Sequence, residues 1–464
     1  MTVQIPTPSP THNHTHYLNY TDMSDFTTFH SRDPSSGGDS VMSTTTQQLE
    51  DIQAGFNLLE LTDELIQRNP GAALTRMLSQ KTAISTSSSY AERMRLTDED
   101  TAYQLFIKIG AGTCGAVFQQ SGTIRVMKRA KAEQWADQLW NDYKIHALVF
   151  EGFAAAASLK TDIKITKAIE YIGKDDKQGR TWWSANKSKF PEGDDYEQDI
   201  LITDRIMPLP KPLRHCLISL YCPSELKSTA PQNPSNADCL VRVYLGAHKP
   251  VLQGRPEKFF TLRNFNLYLD MLKDIALEPH PYAISMAQSL AVMHWQVRCD
   301  ADDVEFVLGS SPVEEDVAVL TAEEISALPP RSSSRPQALN LKRRVVHLWM
   351  LDYNRVKSIT MDQAGVNQAV KAFFANDPYY PRPSGKAADS DLWTVFKDTY
   401  LDHSAGLKVL QELQTKAKVD WIGLPEAFIE EVEAQQTVRS QKQAEAEMRS
   451  PGTFQESIDG AASG

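Results

Sequence analysis

Gly110-Ala111-Gly112-Thr113-Cys114-Gly115-Ala116-Val117 is the stretch on which the fold turns, and it fits G-x-G-x-x-G-x-V at every position. Glycines are needed where backbone N–H groups approach phosphate oxygens with no Cβ in the way. Two structures compete for such a loop. In a dinucleotide-binding fold the third glycine opens a helix. Here Gly115 leads into Ala116-Val117-Phe118, a turn at Ser121-Gly122, and a second apolar run from Ile124 to Met127. Ahead of the loop Leu105, Ile107 and Ile109 alternate. Alternation on both sides of a turn is the period-2 pattern of strands. Residues 101–130 are therefore read as an antiparallel hairpin and its continuation.

Lys128 ends the strand that follows the loop, where an ammonium would neutralise phosphate charge. Val126-Met127-Lys128 resembles the kinase V-A-I-K, and that resemblance implies an acid on the next helix to hold Lys128. That helix is marked by Trp135, Leu139, Tyr143, His146, Phe150 and Phe153, which recur at steps of three and four. Asp142 lies beside the stripe, three after Leu139 and four before His146, and is the favoured partner. Glu133, nearer the helix start, is the alternative. Ile200-Leu201-Ile202 reads as a short strand, and Met207-Pro208-Leu209-Pro210 as a connector where a second lobe begins.

Further on, Tyr282, Met286, Leu290 and Met293 mark an amphipathic helix ending at His294-Trp295. The run Arg298-Cys299-Asp300-Ala301-Asp302-Asp303-Val304-Glu305 follows, and then the apolar Phe306-Val307-Leu308-Gly309. A second apolar run, Val345 to Leu351, ends in Asp352-Tyr353-Asn354. Glu305 and Asp352 thus each sit next to a strand end, and a hard divalent ion takes carboxylate oxygens.

In this order the motifs resemble those of protein kinases: a glycine-rich loop, V-A-I-K, H-R-D-x-x-x-x-N and D-F-G. The resemblance implies a two-lobed α+β fold, with a small antiparallel-sheet N-lobe carrying one long helix and a larger helical C-lobe. It implies that Gly110, Gly112, Gly115 and Val117 cover a nucleotide, while Lys128, held by Asp142, pairs its phosphates. Asp300 would be the catalytic aspartate, and Glu305 with Asp352 would hold magnesium. Departures are plain. Arg298 and Cys299 replace the histidine and arginine, Asn354 replaces the glycine of D-F-G, and no A-P-E follows Asp352. Aminoglycoside-type small-molecule kinases and pseudokinases also lack that segment.

The strings His294-Trp295 through Gly309, Leu348 to Asn354, and Asn376-Asp377-Pro378-Tyr379-Tyr380-Pro381-Arg382-Pro383 are also similar to a fungal domain family of unknown function. That family carries the label "zinc finger protein". The likeness spans roughly residues 100–420 and implies a fungal origin. The label finds little support in ligand spacing. A structural zinc site wants paired cysteines or histidines, and the nearest set is His215, Cys216, Cys222 and Cys239, with no second close cysteine pair.

Composition bounds the rest. The chain has 464 residues, 41% hydrophobic and 23% charged, with a formal net charge of −11. An ordinary apolar share supports a sizeable core, and the acidic balance speaks against a general nucleic-acid binder. Five scattered cysteines speak against a disulfide framework. No apolar run reaches membrane-spanning length. Residues 1–46, rich in Thr, Ser, Pro and His, have no secretory pattern and are expected to be disordered. Residues 47–68 form an amphipathic helix on Leu49, Ile52, Phe56, Leu59 and Ile66, stopped by Asn69-Pro70-Gly71. Residues 69–100 are a linker, 101–207 an N-lobe, 208–425 a C-lobe with a long insert at 310–344, and 426–464 a frayed helix and disordered tail.

The expected function is a nucleotide-binding, kinase-like domain using ATP and magnesium, a phosphotransferase if it is active, with activity left open by the sequence. The alternative is a non-catalytic pseudokinase-type interaction module, with zinc binding placed last. A protein partner is expected at the 47–68 helix or the insert, where Arg331, Arg335, Lys342, Arg343 and Arg344 flank Ser332, Ser333 and Ser334. No membrane or nucleic-acid partner is expected. The location is intracellular, cytoplasmic or nuclear.

Overall fold

The computed structural model describes residues 68–78, 83–85, 105–120, 123–250, 259–313, 340–383 and 387–449. The helix at Pro70–Leu78 corrects the linker reading at its start. Helix α1 (Pro70–Leu78) starts where a stop was expected, because Asn69 accepts a hydrogen bond from the Ala72 N–H at 3.1 Å. Asparagine before a proline is a helix start: the side chain caps a free N–H, and proline has none to lose. Ala73, Leu74, Met77 and Leu78 are buried in the main core. A fully buried leucine or methionine contributes about 1.5–3 kcal/mol. Strand β1 (Ala83–Ser85) follows. The helix expected over 47–68, apart from Arg68, and the tail at 1–46 lie outside the described residues.

Strands β2 (Phe106–Ala111), β3 (Gly115–Gln120) and β4 (Arg125–Ala130) lead into helix α2 (Ala136–Ala155). Next come β5 (Ile163–Ile165), β6 (Ala168–Ile172), helix α3 (Lys177–Asn186) and β7 (Ile200–Asp204). The first sheet has the order β2-β3-β4-β7-β6 and is antiparallel throughout. Alternation decides what each face meets. Ile200, Ile202, Met127 and Phe118 pack with Trp183 of α3 and with Phe190, while Leu201 packs with Leu139 of α2. Lys128, one residue beyond Met127, therefore falls on the α2 side. Arg129 falls back on the other side, fully buried, with its guanidinium 3.8 Å from the Tyr196 ring centroid and 2.9 Å from Asp194.

The remaining elements are α4 (Lys211–Tyr221), β8 (Val241–Tyr244), β9 (Phe265–Tyr268), α5 (Leu269–Asp274) and α6 (His280–Ala291), which runs into a π-helical turn at Val292–Val297. Then follow β10 (Glu305–Val313), β11 (Asn340–Leu351), α7 (Gln363–Ala375), α8 (Ala387–Thr415) and α9 (Leu424–Arg449). Helix α1 packs against α4. A mainly helical second half was expected, but it carries β8 to β11, which with β1 and β5 from the first half form a sheet of order β1-β11-β10-β8-β9, with β5 also on β11. The parallel pair β8–β9 is only four residues long on each side, too short for a period to declare itself.

Two boundaries move. The insert expected at 310–344 is partly strand, because β10 and β11 stay paired out to Val313 and Asn340; residues 314–339 lie outside the described residues. The helix after Pro425 is not frayed at its start: Phe428, Ile429 and Val432 are buried in the core. All described residues belong to the unit 51–464. The Met207 backbone bridges Ser310, joining the connector to β10. Among the described residues no helix is long and apolar enough to cross a membrane.

Candidate functional site

The glycine-rich segment forms the tip of the β2–β3 hairpin. The Gly112 N–H donates to the Gly115 carbonyl at 2.9 Å, closing the turn. Gly115 leaves little room for a side chain. A Cβ there would lie 3.0 Å from the Arg129 carbonyl oxygen and 3.3 Å from Cγ of Lys128. In register, Val117 stands opposite Lys128, and both line one cleft.

The Lys128 ammonium donates to Oδ2 of Asp142 and to Oδ1 of Asp352, each at 2.7 Å. Asp142 is buried on α2, and its other oxygen accepts from the Tyr353 N–H at 3.2 Å. One carboxylate thus ties the helix to the lysine and to the residue after Asp352. Burial works against the charge on Lys128, but Asp142 and Asp352 outweigh it, so its pKa is raised above the ordinary value. Asn141 adds bonds to the carbonyls of Asn354 at 3.2 Å and Val356 at 2.9 Å. Asn354 in turn donates to the Cys114 sulfur at 3.6 Å, joining the floor of the cleft to its glycine-rich roof.

The β10–β11 register puts Glu305 opposite Leu351, so Glu305 and Asp352 leave the sheet side by side. The backbone there is bent into the left-handed region at Ala301 (φ 54°), Asp303 (φ 65°) and Asp352 (φ 64°). Non-glycine residues seldom adopt it, and their clustering beside one cleft is the pattern of a functional constraint. Asn376 holds this loop by donating to the Ala301 carbonyl at 2.9 Å and accepting from the Asp303 N–H at 2.5 Å. Burial, with Asp352 and Asp303 nearby, pushes the Glu305 carboxyl up to about 7 even though Arg242 opposes the shift. Asp303 is pushed upward by burial, against the pull of Arg355.

The cleft has a volume of about 700 Å³. Gly110, Gly112, Gly115, Val117, Lys128, Asp142, Glu305 and Asp352, all singled out from the sequence, line it. Asp300 does not, and its expected place is corrected. Its carboxylate is buried and accepts from the N–H groups of Lys357 at 2.9 Å and Asp302 at 3.1 Å and from the Gln368 amide at 2.8 Å. A carboxylate already satisfied by three donors braces its own loop. Asp303, not Asp300, is the loop aspartate that lines the cleft. Glu133, the alternative partner of Lys128, pairs with Lys174 instead.

Sequence reasoning missed Arg242, Asp303, Asn376 and Asp377. Asn376 and Asp377 were visible only as part of a family-like string, and Asp303 as one of three neighbouring aspartates. Arg242 carried no local signal. It reaches Glu305 from β8 through Nη2, and its Nη1 lies 3.2 Å from Asp377.

A pair of divalent cations does not fit these donors. Among the described residues no group of three or more His, Cys, Asp or Glu is placed to hold a metal ion. Glu305, expected as a ligand, is bonded to the Arg242 guanidinium. Asp352 remains, with Oδ1 on Lys128 and its side chain 30% exposed to the cleft. The cysteines considered for zinc, Cys216, Cys222 and Cys239, are packed in the apolar core, and burial pushes the Cys216 and Cys239 thiols up to about 12.

Residues 348–412 match the model of a domain family described as "Zinc finger protein". The matched span carries Asp352 and the Asn376–Arg382 string. No curated protein matches the chain significantly in sequence. Among solved structures, the chain is similar to the GDP complex of wild-type aminoglycoside 2'-phosphotransferase-IIIa. The two are 10% identical, the match covers 75% of this chain and 98% of that one, and the TM-score is 0.18.

Proposed function

We propose that this chain is a nucleotide-binding domain of the two-lobed, protein-kinase-like type. One observation carries the reading: Lys128 is held between Asp142 and Asp352 beneath a glycine-rich hairpin. A lysine so paired is charged, fixed in place and open on the cleft side to a phosphate. The hairpin offers backbone N–H groups with little steric cover, since a Cβ on Gly112 would meet nothing within 4 Å. Ile109, Val117, Val126, Leu201 and Leu351 supply an apolar slot for a base. The volume lies within the roughly 300–1,000 Å³ usual for small-molecule sites. Magnesium, when bound, would neutralise phosphate charge, and Asp352 is the residue to hold it.

Binding is supported further than phosphoryl transfer. Asp300 is engaged by three donors, the Asp302 N–H in its own loop and the Lys357 N–H and Gln368 amide from beyond β11, which favours the non-catalytic reading over the phosphotransferase one. The test has two stages. ATP with magnesium should raise the melting temperature, because ligand at a hundred times its Kd adds about 2.7 kcal/mol to the folded state. Radiolabel transfer from γ-labelled ATP to broad acceptor pools then separates enzyme from binder. Unchanged melting at saturating nucleotide refutes the proposal.

A further inference from the structure

Two of the cations that line the cleft, Lys128 and Arg242, are built alike. Lys128 lies between Asp142 and Asp352. Arg242 lies between Glu305 and Asp377, and Tyr244 fixes Asp377 from behind by donating to it at 2.7 Å. Strand β8 puts Arg242 beside Val307 on β10, close to the Glu305 end of that strand. Glu305 in turn lies within electrostatic range of Asp352, Asp303 and Lys128. The guanidinium therefore belongs to the same cluster as the lysine.

Resting on the nucleotide reading, we infer that Arg242 is a phosphate-binding residue that supplies the positive charge a second divalent ion would otherwise bring. The sequence places Glu305 where a metal ligand is expected, yet its carboxylate serves to position a guanidinium. A divalent ion there would have to displace an arginine tied at both ends. Arginine also suits phosphate binding, because it stays charged throughout the working pH range, and Glu305 on Nη2 and Asp377 on Nη1 fix that charge at the cleft. Nucleotide binding should then need at most one metal ion, the one at Asp352.

The experiment titrates ATP into the full chain by calorimetry, in EDTA and in 5 mM (order of magnitude) magnesium chloride. ATP should bind in EDTA, and magnesium should improve Kd by no more than about tenfold, roughly 1.4 kcal/mol. Arg242→Gln should weaken binding in EDTA by at least about tenfold, and Arg242→Lys, which keeps the charge, should recover part of it. Because Arg242→Gln leaves Glu305 and Asp377 unpaired and is at risk of misfolding, a second measurement uses the wild type alone. Manganese counted by electron paramagnetic resonance should reach one ion per bound ATP. Two ions per ATP, or binding abolished by EDTA, overturns the role of Arg242 and leaves the nucleotide reading standing. No ATP binding with or without metal overturns both.

Discussion

Replacing Lys128 by methionine keeps the volume of the stem and removes the charge that Asp142 and Asp352 share. The two carboxylates lose unequally. Asp142 has only 4% of its side chain exposed and keeps just the Tyr353 N–H, whereas Asp352 is 30% exposed and can be solvated. Removing one partner of a buried pair costs about 3–5 kcal/mol, because the other charge is left uncompensated. The more exposed pair adds about 0.2–1 kcal/mol. Lys128→Met should therefore lower stability by about 3–5 kcal/mol in the ligand-free chain. Adding Asp142→Asn removes the stranded charge, so the double variant should be more stable than Lys128→Met alone. Urea unfolding of the four proteins, followed by tryptophan fluorescence, closes the cycle. A Lys128→Met variant within about 1 kcal/mol of wild type refutes the reasoning, as does a double variant that loses the sum of the two single losses. The double variant also serves as the ATP-binding control, since it separates a lost phosphate contact from a destabilised fold.

Gly115→Ala should weaken ATP binding by at least about tenfold, because the new methyl meets the Arg129 carbonyl and the Lys128 stem and displaces the ammonium; its stability cost should stay within about 1–3 kcal/mol. Calorimetry and urea unfolding read the two effects, and unaltered affinity counts against the hairpin as a phosphate roof. His294, buried with Nδ1 2.9 Å from the Tyr400 hydroxyl, has its pKa pushed down to about 3 by burial. The unfolded chain therefore takes up a proton below about pH 6.5 that the folded chain refuses, and stability falls by about 2 kcal/mol from this residue by pH 5. Glu305, pushed up to about 7, acts with the opposite sign, since its protonation below pH 7 favours the fold. The difference between wild type and His294→Asn isolates the histidine: the wild type should lose more stability between pH 6.5 and 5, and parallel profiles refute it.

Local pattern determined much of this protein. Alternation around Gly110 to Gly115 is a property of neighbouring residues, and so is the stripe that places Asp142 on the buried face of α2. Three-and-four spacing puts that carboxylate beside the buried stripe of its own helix; the docking of α2 on the sheet brings it to Lys128. Asp352 was legible because it ends an apolar run that has to be a buried strand. Asn69-Pro70 reads from the sequence only as a stop, although it also caps the helix that starts at Pro70: the same residues that end one helix can begin the next, and the packing of Leu74 and Leu78 shows that a second helix follows.

Tertiary structure decided what depends on register between distant strands. Arg242 meets Glu305 across 63 residues of sequence through β8 pairing with β10, and no periodicity within a four-residue strand announces that pairing. Which of the aspartates from Asp300 to Asp303 faces the cleft was likewise not local. Spacing nominated Asp300, but the left-handed turns at Ala301 and Asp303 rotate the chain, so that Lys357 and Gln368 satisfy Asp300 and Asp303 lines the cleft. A motif states which residues are present. The direction of each side chain follows from backbone angles set by neighbours such as Asn376, 73 residues away from Asp303.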